Sequence, residues 1–156
     1  MHSNEALIRQ LYTCLQKLDG EGMAACYHPE AHFSDPIFPN LDGAAVGGMW
    51  RMLCHSANDL TVSFRNVRAD DTTGEGDVEA VYTFSTGRKV HNIIHSRFEF
   101  LDRKIIRQKD DFNFWRWSRM ALGTTGLLLG WTPWLRHKVR QRAARQLARY
   151  LENNPR

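Results

Sequence analysis

Tyr12 and Asp35 are the two residues of this chain best suited to act together on a substrate. Tyr12 sits on the apolar face of a helical pattern, and Asp35 follows 23 positions later in His32-Phe33-Ser34-Asp35-Pro36. An acid held on an apolar strand opposite a phenol makes a proton-transfer pair. The carboxylate takes a proton from carbon, and the phenol hydrogen-bonds the oxyanion that forms.

Further along, residues 89–101 alternate as a strand. Asn92, Ile94, Ser96, Phe98 and Phe100 share one face, and His91, His95, Arg97 and Glu99 share the other. The phenylalanine side is expected to face the core, which turns Asn92 and Ser96 inward. In 104–116 the same alternation groups Gln108, Asp110, Phe112 and Phe114, while Lys109, Asp111 and Asn113 point away. The inward polar set is therefore Tyr12, Asp35, Asn92, Ser96, Gln108 and Asp110, with Phe98, Phe112 and Trp50 lining the same expected apolar cavity. Two acids in such a cavity push each other's titration apart, so that one stays protonated near neutral pH. That is a general way to obtain an acid and a base from one residue type. His91 and His95 have no third ligand near them in sequence, so no metal site is expected; His28, His32 and His55 are read as surface or packing residues.

The elements that must position these groups can be read from periodicity. Residues 4–18 place Leu7, Ile8, Leu11, Tyr12, Leu15 and Leu18 at helical spacing, with Ser3 or Asn4 as the expected cap. A short helix over 22–27 and a strand over 31–38 follow, and 43–56 reads as a third helix with Val46, Met49, Trp50, Leu53 and Cys54 on one face. From Leu60 the pattern turns to strands at 60–68, 77–85, 89–101 and 104–116, joined by hairpin signals at 70–76, Thr86-Gly87 and Asp102-Arg103. Three helices followed by an antiparallel sheet predict an α+β domain.

The composition of the 156-residue chain fits one soluble globular domain, with 42% hydrophobic and 24% charged residues. Cys14, Cys26 and Cys54 form neither a disulfide framework nor a metal spacing, so free thiols in a reducing cytoplasm are expected. The N-terminus lacks the basic start and apolar core of a signal peptide. The longest apolar stretch, 122–135, is interrupted by glycines and a proline and falls short of the roughly 20 residues that cross a bilayer.

The net charge of +4 is unevenly placed. Residues 134–156 hold seven Lys/Arg and one acid, leaving a body with 14 bases and 16 acids. Trp115, Trp117, Leu122, Leu127, Leu128, Leu129, Trp131 and Trp134 form an aromatic and aliphatic run. A basic helix then steps Leu135, Val139, Ala143, Leu147 and Leu151 along one stripe. This extension, 117–156, can dock on the body as a lid, meet a partner subunit, or lie weakly on a membrane surface. No aromatics are interleaved with bases as on a single-strand platform, so nucleic acid is not an expected partner.

Tyr12 in Leu-Ile-Arg-Gln-Leu-Tyr, the Leu-Asp-Gly-Glu-Gly turn, Phe-Ser-Asp-Pro and the hairpin 98–106 together resemble a ketosteroid isomerase. These enzymes belong to the nuclear transport factor 2-like, or SnoaL-like, superfamily, which also holds polyketide cyclases and limonene-epoxide hydrolases. The resemblance covers 1–116. It implies a cystatin-like fold, a cone-shaped curved antiparallel sheet wrapped around the N-terminal helices, to which this chain adds a C-terminal helix. It also implies Tyr12 as oxyanion donor and Asp35 as general base, with Ser96 where those isomerases carry a protonated aspartate. Asp110 resembles an acid of the epoxide hydrolases, whose arginine and second acid fall near Asp77 and Glu79, so that triad's arginine is absent. The expected activity is cofactor-free proton transfer on a small hydrophobic carbonyl compound, of isomerase or cyclase type, with Asp110 or Ser96 assisting. The alternative is a domain of the same fold that binds a small hydrophobic ligand or mediates assembly without catalysis. The His91/His95 face is the expected homodimer surface.

Overall fold

The computed structural model describes residues 1–155. Helix α1 (Ser3–Gln16) buries Ile8, Leu11, Tyr12 and Leu15 along one face. Each fully buried side chain of this kind contributes roughly 1.5–3 kcal/mol. His2, not Ser3 or Asn4, caps the helix, its Nδ1 accepting the Asn4 N–H at 3.0 Å. Asn4 turns inward instead and donates its side-chain amide to the carbonyls of Asp70 (2.9 Å) and Asp71 (3.2 Å), tying the helix start to a hairpin turn. Helix α2 (Gly20–Ala24) begins two residues before the expected helix, because Asp19 accepts the Gly22 N–H at 2.9 Å.

Strand β1 (Tyr27–Ser34), the short β2 (Leu41–Asp42), helix α3 (Ala44–Ser56), and strands β3 (Thr61–Ala69), β4 (Thr73–Thr83), β5 (Lys89–Leu101) and β6 (Lys104–Asp111) complete the body. Helices α4 (Phe114–Leu122), α5 (Thr124–Leu129) and α6 (Pro133–Asn153) follow. The sheet runs β2-β1-β6-β5-β4-β3. It is antiparallel except between β1 and β6, which pair in parallel. A helix and three strands intervene between those two, a connection long enough for the parallel arrangement that the sequence pattern did not indicate.

Three expected boundaries move for identifiable reasons. The strand placed at 31–38 lies at 27–34, since Asp35 and Pro36 turn the chain out of the ladder. Strand β4 begins at Thr73, so the loop expected over 70–76 shrinks to a turn held by Asp70, whose Oδ1 accepts the Thr72 and Thr73 N–H groups. The strand expected to reach 116 stops at Asp111. Asn113 accepts the Arg116 N–H at 2.9 Å and starts α4, so Phe112 and Phe114 leave the sheet.

The sheet is open and curved, with a bulge between Arg65 and Arg68 where Asn66 adopts φ 56°. Its inner face meets α1 closely at Gly74 and Gly76. A Cβ on Gly74 would stand 2.8 Å from Ile8 Cδ1, and one on Gly76 would stand 3.4 Å from Tyr12 Cε2. Glycine inside a strand here marks the approach of helix to sheet. The apolar stripe of α6 docks on this body, burying Leu135, Ala143 and Leu147, while Leu151 occupies the space over Gly48 of α3. A second apolar cluster of Val90, Phe114, Trp117 and Ala121 joins α4 to β5.

Candidate functional site

The register of the sheet sets four of the chemically interesting positions in one row. Gly76 pairs with Ser96, and Ser96 pairs with Asp110. Ser34 pairs with Lys109 in the parallel ladder, so the next residue, Asp35, comes alongside Asp110. Tyr12 of α1 lies across the glycine end of this row, its hydroxyl 3.7 Å from where a Gly76 Cβ would be. The neighbouring row holds Gly74, Phe98, Gln108 and Phe33. Asn92 faces inward beside Ala80, and Trp50 packs edge-on against Phe33 with ring centroids 5.7 Å apart.

Burial follows the expected faces. Ser96 is 0% exposed, Gln108 1%, Phe98 2%, Tyr12 3%, and Asn92 and Asp110 6% each. Phe112 is half-buried beyond the end of β6, against the second cluster, so it lines the extension and not the row. Two surface depressions, of about 670 and 330 Å³, are lined mainly by charged residues of β3–β6 such as Arg68, Glu75, Arg97 and Asp77. Neither includes Tyr12, Asp35, Ser96 or Asp110.

Asp110 is held by a chain of buried hydrogen bonds. Trp50 Nε1 donates to Tyr27 Oη at 2.8 Å, Tyr27 Oη donates to Gln108 Oε1 at 2.5 Å, and Gln108 Nε2 donates to Asp110 Oδ1 at 2.9 Å. The sequence reading missed Tyr27, which it had placed in a helix. Ser96 faces both Tyr12 and Asp110. The Tyr12 and Ser96 hydroxyls are nevertheless the two fully buried side-chain polar atoms, among the described residues, without a hydrogen-bond partner. Orphaned buried hydroxyls are uncommon and costly.

Asp35 occupies a different setting from the one its sequence position suggested. It is half-buried in the turn after β1, and its Oδ1 accepts the Ile37 and Phe38 N–H groups at 2.7 and 2.6 Å. The charge that bears on Tyr12 most is that of Asp110, while Asp35 acts on Tyr82 and on Asp110's side of the row. Tyr82 accepts from Trp117 Nε1 at 2.9 Å, and Arg140 Nε of α6 donates to the Pro36 carbonyl at 2.8 Å. Asp35 thus lies under the α4–α6 extension.

Desolvation dominates the electrostatics. Burial raises the Asp35 carboxyl to about 7, the Phe38 and Ile37 N–H groups and Arg140 oppose the rise, and the charge of Asp110 adds to it. Burial raises Asp110 to about 6, with Ser96 and Gln108 opposing. Burial and the Asp110 charge push the Tyr12 hydroxyl far above its ordinary value, so it acts only as a neutral donor.

His91 and His95 point to the outer face, where they hydrogen-bond Glu79 at 3.1 Å and Asp77 at 2.7 Å. Asp77 and Glu79 are therefore engaged outside the sheet, and the positions beside them that face the row are Gly76 and Val78. The arginine-containing epoxide-hydrolase triad has no counterpart on the inner face of β4.

A family profile described as a SnoaL-like domain matches residues 8–108. The chain belongs to the SnoaL-like family. Solved structures share the fold at low identity. A Mycobacterium tuberculosis epoxide hydrolase of the limonene-epoxide hydrolase type is 16% identical over 81% of this chain and 96% of its own, with a TM-score of 0.66. A Xanthomonas campestris protein provisionally described as a polyketide cyclase is 18% identical over 76% of this chain and 96% of its own, with a TM-score of 0.62. A Kribbella flavida protein provisionally described as a ketosteroid isomerase is 15% identical over 71% of this chain and 78% of its own, with a TM-score of 0.57. No curated protein matches the chain by sequence. The family and its neighbours thus include isomerase, cyclase and epoxide-hydrolase types on one scaffold.

Proposed function

We propose that the row Asp35, Asp110, Ser96 and Tyr12 is a cofactor-free proton-transfer site for a small hydrophobic carbonyl compound. The observation that carries the reading is the pair of buried, unpartnered hydroxyls of Tyr12 and Ser96 beside a buried acid. Donors left unpaired in a desolvated site are suited to an oxygen that gains charge during reaction.

In this reading Asp35 takes a proton from the carbon next to the substrate carbonyl. The C–H electron pair moves into the carbonyl, and the new enolate oxygen accepts hydrogen bonds from Tyr12 and Ser96. Return of the proton to a different carbon completes an isomerisation. Attack of the enolate carbon on a second carbonyl of the same molecule, with the proton passed to the new alkoxide, completes a cyclisation. Between pH of about 6 and 7 the two raised carboxyls hold about one proton between them, which supplies a base and an acid together. The row is closed off, so the substrate enters when the extension over Asp35 moves aside.

The test is deuterium uptake at carbon. Cyclic enones and 1,3-dicarbonyl compounds are incubated with the protein in D2O at pH 6.5 and followed by NMR, alongside the Asp35→Asn and Tyr12→Phe variants. Exchange that depends on both residues supports the site. Exchange equal in all three proteins, or none across the panel, removes the catalytic reading. A second reading, a binding module of the same fold, is favoured by the engagement of Asp35 Oδ1 with the Ile37 and Phe38 N–H groups, a turn-forming role. Tight binding of the same compounds without exchange would select it.

A further inference from the structure

The apolar corner between α5 and α6 is the largest departure of this molecule from an ordinary polar surface. Leu127 is 46% exposed, Leu128 62%, Trp131 73% and Trp134 58%, all within eight consecutive residues. This corner is firmly built. Gly126 and Gly130 press against Ser118 of α4 so closely that a Cβ at either would collide with it. Trp115 Nε1 donates to the Leu127 carbonyl at 3.1 Å, and Trp131 Nε1 donates to the Leu128 carbonyl at 3.0 Å. Thr132 caps α6 through Leu135 N–H at 3.2 Å, with Pro133 as its first residue. The fold thus holds large apolar side chains outward on a rigid turn.

The charges around the corner have one sign. Residues 112–151 contain eight Lys/Arg and no Asp or Glu, whereas residues 1–111 contain sixteen acids against twelve Lys/Arg. Arg119 lies over Trp115 at 4.7 Å and Lys138 over Trp134 at 5.9 Å, next to the exposed leucines. Arg136 lies over Phe114 at 5.2 Å. Among the described residues, every Arg or Lys ion pair involves residues 9–107, so the cations of the extension have no acid of their own chain. Meanwhile the apolar stripe of α6 is already used against the body, which leaves its basic face outward.

Exposed Trp and Leu on a rigid turn, ringed by unpaired Arg and Lys, match an anionic lipid surface. The indoles and leucines suit the headgroup and acyl boundary, and the cations suit the lipid charge. No helix among the described residues is long and apolar enough to cross a membrane, so the contact is peripheral. We propose that the α5–α6 corner docks the protein on anionic membrane surfaces, with Leu127, Leu128, Trp131 and Trp134 inserted and Arg119, Arg136 and Lys138 against the headgroups. The opposite pole keeps its acids away from the lipid. This inference stands apart from the reaction and holds for a binding module as well.

Vesicle co-sedimentation with tryptophan emission tests it. Full-length protein is mixed with phosphatidylglycerol/phosphatidylcholine vesicles and with phosphatidylcholine vesicles at 0.1 M salt. The expected result is binding at least about tenfold tighter to the anionic vesicles, with a blue shift from the exposed indoles. Leu128→Asp with Trp131→Ala should lower that binding about tenfold or more and abolish the shift, with thermal stability unchanged because these side chains are exposed. Arg136→Glu with Lys138→Glu should weaken binding while leaving the residual blue shift. Equal or absent binding to both vesicles overturns the proposal. So does anionic binding without a blue shift, insensitive to the Leu128/Trp131 change, which would be charge attraction alone. Self-association in free solution broken by that same double variant would assign the corner to a second copy and overturn it too.

Discussion

At the scale of single residues, the site trades stability for chemistry. The folded-state carboxyls of Asp35 and Asp110 titrate at about 7 and about 6, above the ordinary aspartate value of 3.8. The native state therefore holds these protons more tightly than the unfolded chain. Stability is fully present below the unfolded value and declines as pH rises through about 6 and about 7. Asp35→Asn and Asp110→Asn remove that decline. Each variant is expected to melt at a higher temperature than the parent at pH 8 and close to it at pH 4, as thermal unfolding across a pH series will read. Tyr12→Phe bears on the orphaned hydroxyl. Deleting a buried donor with no partner leaves stability unchanged or improves it by about 1 kcal/mol. Deleting an oxyanion donor lowers turnover roughly 100-fold or more. Calorimetry and the deuterium-exchange assay on one variant separate the two effects, and a loss of both stability and exchange would mark Tyr12 as a packing residue.

Among the elements, positions set by short-range alternation were legible in the sequence, and those set by distant partners were not. Strand β5 lies where its alternation puts it, with Asn92, Ser96 and Phe98 inward, because one residue of slip would have exposed two phenylalanines. The helix stripe Leu135, Ala143, Leu147 is buried as its four-residue step indicates. Gly74 and Gly76 were a readable signal too, two small residues on one face of a strand. Tyr27 was not readable, since its value comes from Trp50, 23 residues away, and Gln108, 81 residues away. The end of β6 was misread because Phe112 and Phe114 continue the alternation while Asn113 caps a helix. That distant relay is what fixes α3, β1 and β6 to one another, and Tyr27→Phe tests it. The change leaves the Trp50 N–H and one Gln108 oxygen without their partner inside the core, at a cost of about 1–3 kcal/mol for each group left unsatisfied. A urea midpoint that falls by the corresponding amount is the expected result. An unchanged midpoint would mean that water replaces the phenol at no cost.

For the whole molecule, the question is whether the extension belongs to the site or only covers it. Helix α6 reaches Asp35 through Arg140, whose Nε donates to the Pro36 carbonyl while its charge pulls the carboxyl back from the full effect of burial. A helix more than a hundred residues downstream in sequence thereby sets the titration of an acid in the turn after β1. Arg140→Gln keeps a donor and most of the side chain's bulk but removes the positive charge. With that charge gone, desolvation is less opposed, and Asp35 is expected to titrate above about 7, which carboxyl NMR on labelled aspartate can follow. Arg142→Gln, on the exposed face of the same helix, should leave the titration where it is. If both variants titrate alike, α6 influences Asp35 only by excluding water. If Arg140→Gln alone moves it, the extension tunes the proton-transfer group directly, and any motion that lifts α6 to admit a substrate also changes the state of the acid beneath it. Lifting the helix removes both the guanidinium and the desolvation, and the larger of the two is desolvation. Asp35 should therefore become a weaker base and a readier anion in the open form, and a stronger base as the helix closes over a bound ligand.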